Sequence, residues 1–336
     1  MRRGTLRRLV AATALFTVVL VGSTSIASAA NPWRKSHPWN IAHQGGEGEF
    51  PGNTLFALKK SLRAGADMLE LDIGVTKDGK VVMHHNTTVD SRTNGTGEVR
   101  SFTLRQIQRL DNAYWFSQGP GGVSYSHEQD PSTYKYRGIA TGQKKPPKGY
   151  KASDFRVASL QQVLKAFPKT PINLEIKGRT PAEDISEYIQ NARVLARELK
   201  NVKRRNIIVV SFKQEAVDEF HRLAPKIPVA PGVDGIAAFL LFDVLPGPGT
   251  VALQPPIKYN HPDLGLVEVS TADYIEKAHA AGYAWQNWFS DDDSDSAVDW
   301  QKMVDRCSDG IMTAYPVALE AFLKTHPSPS VCSQRP

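Results

Sequence analysis

The chain has 336 residues, 41% hydrophobic and 22% charged, with a formal net charge of +7 and two cysteines. Four arginines (Arg2, Arg3, Arg7, Arg8) and no acid lie in its first 30 residues, so the charge beyond them falls to +3. That mild balance, with no basic stripe interleaved with aromatics, argues against nucleic-acid binding, and two cysteines without a CxxC spacing make no cysteine metal site.

Residues 1–8 are basic, residues 9–21 almost wholly apolar, and Ala27-Ser28-Ala29 supplies the small residues that a signal peptidase requires. Residues 1–30 therefore read as a secretory signal peptide cleaved near Ala29 or Ala30. The apolar run is shorter than the roughly 20 residues that span a bilayer; an uncleaved anchor is the alternative. The protein is expected to be secreted, with residues 31–336 forming one barrel-sized domain. Its oligomeric state is not readable.

A first strand is predicted over 40–43, ending on His43, and an amphipathic helix follows over 54–64. The strand predicted over 68–75 contains Glu70-Leu71-Asp72. Alternation puts Glu70 and Asp72 on one face. Two acids on one face repel unless a positive group lies between them, and a hard divalent cation with oxygen ligands suits that place. After a Lys77-Asp78-Gly79 turn, a strand over 81–85 ends in His84-His85-Asn86. Histidines arriving there supply proton transfer beside such an ion.

The rhythm breaks over 112–155, which holds Gly119-Pro120-Gly121-Gly122, Pro146-Pro147 and several tyrosines. Long aperiodic segments are functional or disordered, and aromatic content argues against disorder. Strands are predicted again over 172–176, 207–211, 229–231, 251–253, 284–288 and 310–313, with helices over 160–166, 182–198, 214–223, 271–281 and 296–307. Glu175 and Lys177, two apart, close the strand over 172–176. The apolar run 236–242 reads either as a buried helix or as one wall of a channel for an acyl chain. Asp291-Asp292-Asp293-Ser294-Asp295 lacks the glycine and distal glutamate of a calcium loop and reads as a solvated helix N-terminus. Cys307 and Cys332 can bridge in an exported protein, tying the tail to the body; two free thiols are the alternative.

Alternating strands and helices predict a parallel sheet with helical crossovers. Nine strand candidates exceed the eight of a (β/α)8 TIM barrel, and 251–253 is expected to be the one outside it. A doubly wound sheet competes, but no glycine-rich fingerprint follows the first strand. Barrel enzymes draw functional side chains from the C-terminal ends of several strands. His43, Glu70, Asp72, His85, Glu175 and Lys177 then gather at one rim, and the 112–155 insertion is expected over the active-site mouth.

These segments resemble the glycerophosphodiester phosphodiesterase family, whose hallmarks are HRG, PENT, GAD, E-x-D, TKDG, HD, E-I-K and D-G-I-x-T-D-x-P. The chain has His43-Gln44-Gly45, Pro51-Gly52-Asn53-Thr54, Gly65-Ala66-Asp67, Glu70-Leu71-Asp72 and Thr76-Lys77-Asp78-Gly79. It continues with Glu175-Ile176-Lys177, Trp288 and Asp309-Gly310-Ile311-Met312-Thr313-Ala314-Tyr315-Pro316, all in order. The resemblance implies a TIM barrel and one divalent metal ion, Mg²⁺ or Ca²⁺, held by Glu70, Asp72 and Glu175. It implies catalytic His43 and His85, and substrate contacts from Gln44, Lys177 and Trp288. His85 rather than His84 takes the catalytic place, because Asp90 and the Asn94-Gly95-Thr96-Gly97 turn then align without a gap. His84 is expected to be packed or solvent-facing. Three departures from the family change the charge of the site: Gln44 for arginine, Gly52 for glutamate and Asn86 for aspartate.

The implied reaction is metal-dependent hydrolysis of glycerophosphodiesters to an alcohol and glycerol phosphate. A lysophospholipase D is the alternative, its acyl chain lying between the aromatic insertion and the 236–242 run, with transient contact to a membrane surface. A non-catalytic exported module that binds phosphodiester polymers is the second alternative.

Overall fold

Strand β1 (Trp39–Ala42) pairs in parallel with β2 (Met68–Val75), whose tight continuation is β3 (Val81–Met83). A small hairpin, β4 (Ser117–Gly119) and β5 (Gly122–Ser124), lies in the insertion. Then come β6 (Ile172–Ile176), β7 (Ile207–Val210), β8 (Ala252–Leu253), the hairpin β9 (Lys258–His261) and β10 (Gly265–Glu268), β11 (Ala284–Asn287) and β12 (Gly310–Thr313). The helices are α1 (Leu55–Ala64), α2 (Leu104–Ile107), α3 (Leu160–Ala166), α4 (Ser186–Leu199), α5 (Gln214–Leu223), α6 (Val233–Phe242), α7 (Ala272–Ala280), α8 (Ala297–Asp305) and α9 (Pro316–Leu323). This computed structural model describes residues 31–119, 122–179, 185–261 and 265–333. The predicted signal peptide at 1–30, the Pro120-Gly121 pair of the insertion and the predicted helix start at 182–184 lie outside the described residues.

Hydrogen-bonded neighbours run β7-β6-β2-β1-β12-β11-β8. Parallel bridges Val209↔Val229 and Val229↔Thr250 join β7 to β8, so a one-residue staple at Val229 closes the ring into an eight-membered parallel barrel. Alternation then separates two layers. Leu69, Leu71, Leu174, Ile176 and Val209 face outward onto α4 and α5 residues such as Leu195 and Phe220. Ile41, Met68, Ile208, Ala230, Ala252, Ala284 and Met312 meet inside the barrel, one residue from almost every strand.

The expectation that 251–253 lies outside the barrel is wrong. Ala252 and Leu253 pair with Ala284 and Trp285, and the strand outside is β3. It runs antiparallel to β2, with Ile73 opposite Met83 and Val75 opposite Val81. The cause is connection length: a parallel neighbour needs a crossover of a dozen or more residues, and a tight turn permits only a hairpin. Here Thr76 Oγ1 bonds Asp78 and the Lys80 N–H, fixing that turn.

Two more expectations need revision. The acidic run is not simply solvated: Asp295 accepts from Trp300 Nε1 (2.8 Å), Thr313 Oγ1 (2.7 Å) and the Ala314 N–H (2.7 Å), stapling the loop to the end of β12. The insertion packs by its own aromatics against α1, where Phe56 stacks on Phe155 (4.4 Å) and meets Tyr150 (4.7 Å) and Tyr136 (5.0 Å). Near the site it contributes Tyr125, whose hydroxyl accepts from the Gly52 N–H, and Asn112, whose Nδ2 donates to the Gly52 carbonyl. Cys307 and Cys332 form a disulfide that ties the C-terminal turn to the end of α8.

Candidate active site

The chain leaves β1 at His43 through three consecutive residues of positive φ: Gln44 (50°), Gly45 (77°) and Gly46 (88°). Gly45 is required there on two counts, because any Cβ would also fall 2.5 Å from Leu58 Cδ2. The turn aims the Gln44 N–H at Glu70 Oε2 (2.8 Å). His43 Nδ1–H donates to Glu47 Oε1 at 2.9 Å, and its Nε2 lies 3.8 Å from Glu70 Oε2. Burial disfavours the imidazolium, but Glu70 and Glu47 outweigh it and lift the His43 pKa to about 10.

Glu70 and Asp72 project inward from β2, and the parallel register sets Glu175 of β6 beside Asp72. One carboxylate oxygen from each of the three lies within 4.8 Å of the others, and all three residues are buried. Burial and then the Asp72 charge push the Glu70 pKa up to about 8. Among the described residues Glu70 Oε1 is buried with no hydrogen-bond partner, and Asp72 Oδ1 and Glu175 Oε1 meet only the Lys177 ammonium, at 3.4 and 2.8 Å. Unpartnered buried carboxylate oxygens are costly. A three-carboxylate oxygen set fits a hard divalent cation. Asn53, itself at φ 57°, donates to Asp72 Oδ2 at 2.9 Å and so fixes which Asp72 oxygen stays free. Despite its burial, Asp72 is held below the usual carboxylate range, chiefly by Lys177.

The two adjacent histidines diverge. His84 is buried, its Nε2–H donating to the Thr88 carbonyl at 3.0 Å, and burial drives its pKa down to about 4. His85 lines the same cavity as His43, and its Nδ1–H donates to Asn86 Oδ1 at 2.6 Å. Asn86 is held in turn by its Nδ2 donating to Ser91 Oγ. An amide oxygen can only accept, so the proton sits on His85 Nδ1 and leaves Nε2 as the basic nitrogen.

A cavity of about 330 Å³ opens over these groups, with His43, His85, Glu175 and Lys177 at one end. Its far wall is apolar: Val233, Ile236, Ala237 and Leu240 of α6, Val267 of β10, and Phe212 and Trp288. Trp288 is fixed by Nε1 donating to the Gln254 carbonyl (3.1 Å) and by edge contact with Phe212. The α6 run is thus both core and cavity wall, whereas among the described residues no aromatic of the insertion lines the cavity. Gln44, expected on the substrate, is buried, gives its side-chain oxygen to Asn53 (3.2 Å) and is not part of the wall. Glu47 and Arg92, whose side chains pair at 2.9 Å beside His43, went unmarked in the sequence, since neither lies on a strand or shows periodicity.

The profile of the Glycerophosphoryl diester phosphodiesterase family matches residues 43–318. A Glycerophosphodiester phosphodiesterase from Bacillus subtilis is 28% identical over 215 residues, 62% of this chain and 64% of the relative. A second Bacillus subtilis relative is 31% identical over 191 residues, and the match spans 63% of its length. The chain thus spans somewhat under two thirds of these curated relatives. Among solved structures, the Glycerophosphoryl Diester Phosphodiesterase domain of a Mycobacterium tuberculosis protein superposes with a TM-score of 0.61 at 20% identity, covering 85% of this chain and 99% of that one. An Oleispira antarctica phosphodiesterase in complex with the product sn-glycerol-3-phosphate gives 0.57 at 18% identity, covering 86% and 97%.

Proposed function

The chain belongs to the glycerophosphoryl diester phosphodiesterase family, and from that premise we propose that it hydrolyses glycerophosphodiesters to an alcohol and glycerol phosphate. The observation that carries this is the convergence of three buried carboxylates, Lys177 and two histidines on one cavity. A divalent cation held by Glu70, Asp72 and Glu175 would neutralise the phosphodiester charge and the larger charge of the transition state.

The two histidines are unequal. His43 gives its Nδ1–H to a carboxylate, which stabilises the imidazolium, so it holds a proton for the leaving oxygen. His85 is bonded to a neutral amide and suits the base that takes the proton of the attacking hydroxyl or water. The new P–O bond forms as the P–O bond to the alcohol breaks, and each histidine ends in the other's protonation state. Lys177, its ammonium held at the carboxylate rim by Glu175 and Asp72, adds a positive charge for the phosphoryl oxygens.

The apolar far wall favours a second, narrower reading: a lysophospholipid whose chain lies along α6. Leu241, Phe242, Val244 and Leu245 are 58%, 73%, 55% and 66% exposed and continue from the cavity mouth, suited to a lipid surface. Choline release from glycerophosphocholine and from lysophosphatidylcholine, each with and without chelator, tests both readings. Turnover that chelator abolishes is expected. Ala237→Phe should lower kcat/KM for lysophosphatidylcholine by about tenfold or more and spare glycerophosphocholine. Equal losses on both substrates would remove the lipid reading. No turnover of either in any divalent metal would leave the polymer-binding alternative.

A further inference from the structure

Beside His43, on the side away from the carboxylates, four residues interlock that no strand alignment brings together. Glu47 binds His43 Nδ1 through Oε1 and Arg92 Nη2 through Oε2, both at 2.9 Å. The Arg92 guanidinium carbon sits 3.7 Å from the Tyr125 ring centroid, and the Tyr125 hydroxyl accepts from the Gly52 N–H at 3.1 Å. A Cβ at position 52 would fall 3.1 Å from Arg92 Nη1, 2.9 Å from Glu47 Cβ and 3.1 Å from Gln44 Oε1. The φ of Gly52 is not in the left-handed region, so the glycine serves space and not backbone freedom. The glycine thus makes room for the guanidinium. The Tyr125 ring is part of the insertion's reach toward the site, and its face suits a planar cation.

We propose that Arg92, admitted by Gly52 and clamped under Tyr125, is the positioning residue for His43, acting through Glu47. The bidentate use of the Glu47 carboxylate is the device. With one oxygen held by a fixed cation, the other has a single orientation, and the His43 ring is fixed with Nε2 toward the carboxylate site. This arrangement also restores, from a loop after β3, a fixed positive charge in a region where Gln44 supplies none. Arg92 is not part of the cavity wall, so its effect on catalysis is indirect.

The kinetic arm of the test rests on the proposed hydrolysis; the spectroscopic arm does not. In saturating divalent cation, Arg92→Met should lower kcat for glycerophosphocholine by about 10- to 100-fold with KM within about twofold, because misplacement of a catalytic group costs rate and not affinity. Arg92→Lys should recover part of the loss. Gly52→Ala, which crowds Arg92 off Glu47, should match the Arg92→Met loss, and the double variant should be no slower than the worse single. By proton NMR, the wild type should show an exchange-protected His43 Nδ1–H resonance that Arg92→Met and Gly52→Ala both lose while retaining cooperative thermal unfolding. An unchanged kcat, a loss confined to KM, or additive losses would overturn the proposal. A retained Nδ1–H resonance in both variants would overturn it even if the wild type turned over no phosphodiester.

Discussion

His43→Ala and His85→Ala will each lower kcat for choline release by about 10²- to 10⁴-fold, the range that a positioned acid or base contributes. The melting temperature of His85→Ala should stay near that of the wild type, since His85 stands at the cavity and does not fill the core, whereas His43→Ala removes a cation from beside Glu47 and Glu70 and should melt somewhat lower in the metal-free protein. His84→Ala should behave in the opposite way. Its ring is buried, neutral at physiological pH and committed to the Thr88 carbonyl, so its loss leaves a hole in the packed interior and a half-buried acceptor unpaired. That costs roughly 1–3 kcal/mol of stability and leaves turnover largely intact. Steady-state kinetics with thermal unfolding on the three variants separates the two patterns. Were His84→Ala as inactive as His85→Ala at full stability, the division of labour between them would be wrong.

The carboxylates give the second large effect, and its sign differs between activity and stability. Glu70→Gln should abolish metal-dependent turnover and yet stabilise the metal-free fold. In the absence of a cation, Glu70 is raised from its ordinary value to about 8 by burial and by Asp72. A carboxyl whose folded pKa exceeds its unfolded one favours the fold below the unfolded pKa. Stability therefore declines as pH rises from about 4.5 to about 8. His43 acts in the same direction at higher pH: raised to about 10, its stabilising proton is lost as pH rises from about 6.5 to about 10. Metal-free wild type should thus melt progressively lower from pH 5 to pH 8, and Glu70→Gln should flatten that slope. Excess divalent cation should flatten it in the wild type as well. A slope identical in wild type and Glu70→Gln would mean that the three carboxylates do not strain one another.

Much of this site is legible from local rules. The alternation of Glu70 and Asp72 and the two-residue spacing of Glu175 and Lys177 place those groups on the inner face of the barrel, and the register of β2 against β6 joins them. What escapes is whatever depends on loops meeting across the rim. Glu47 lies in a turn and Arg92 in an aperiodic stretch after β3. Tyr125, one tyrosine among several in the insertion, differs from Tyr136 and Tyr150 only in where the chain carries it. Asn53 sits within a recognised motif, but its grip on Asp72 appears only in three dimensions. The place of β3 outside the barrel is legible in the sequence, since the four-residue span from Thr76 to Lys80 is too short for a crossover. The barrel strand within 251–253 is not. Two paired residues beside a single-residue staple at Val229 carry too little pattern to outweigh the surrounding glycines and prolines. Gly52 shows the remaining gap: a missing glutamate reads as lost chemistry, whereas the fold uses the missing side chain as room for Arg92.

Hydrolysis would depend on one divalent cation held by Glu70, Asp72 and Glu175. Calorimetric titration of Mg²⁺ or Ca²⁺ into chelator-treated protein, with choline release measured at each point, tests it most directly. One ion per chain is expected, with activity rising in step with occupancy and both lost in Glu175→Gln. Full turnover in the chelator-treated protein, or unchanged ion binding in Glu175→Gln, would contradict it.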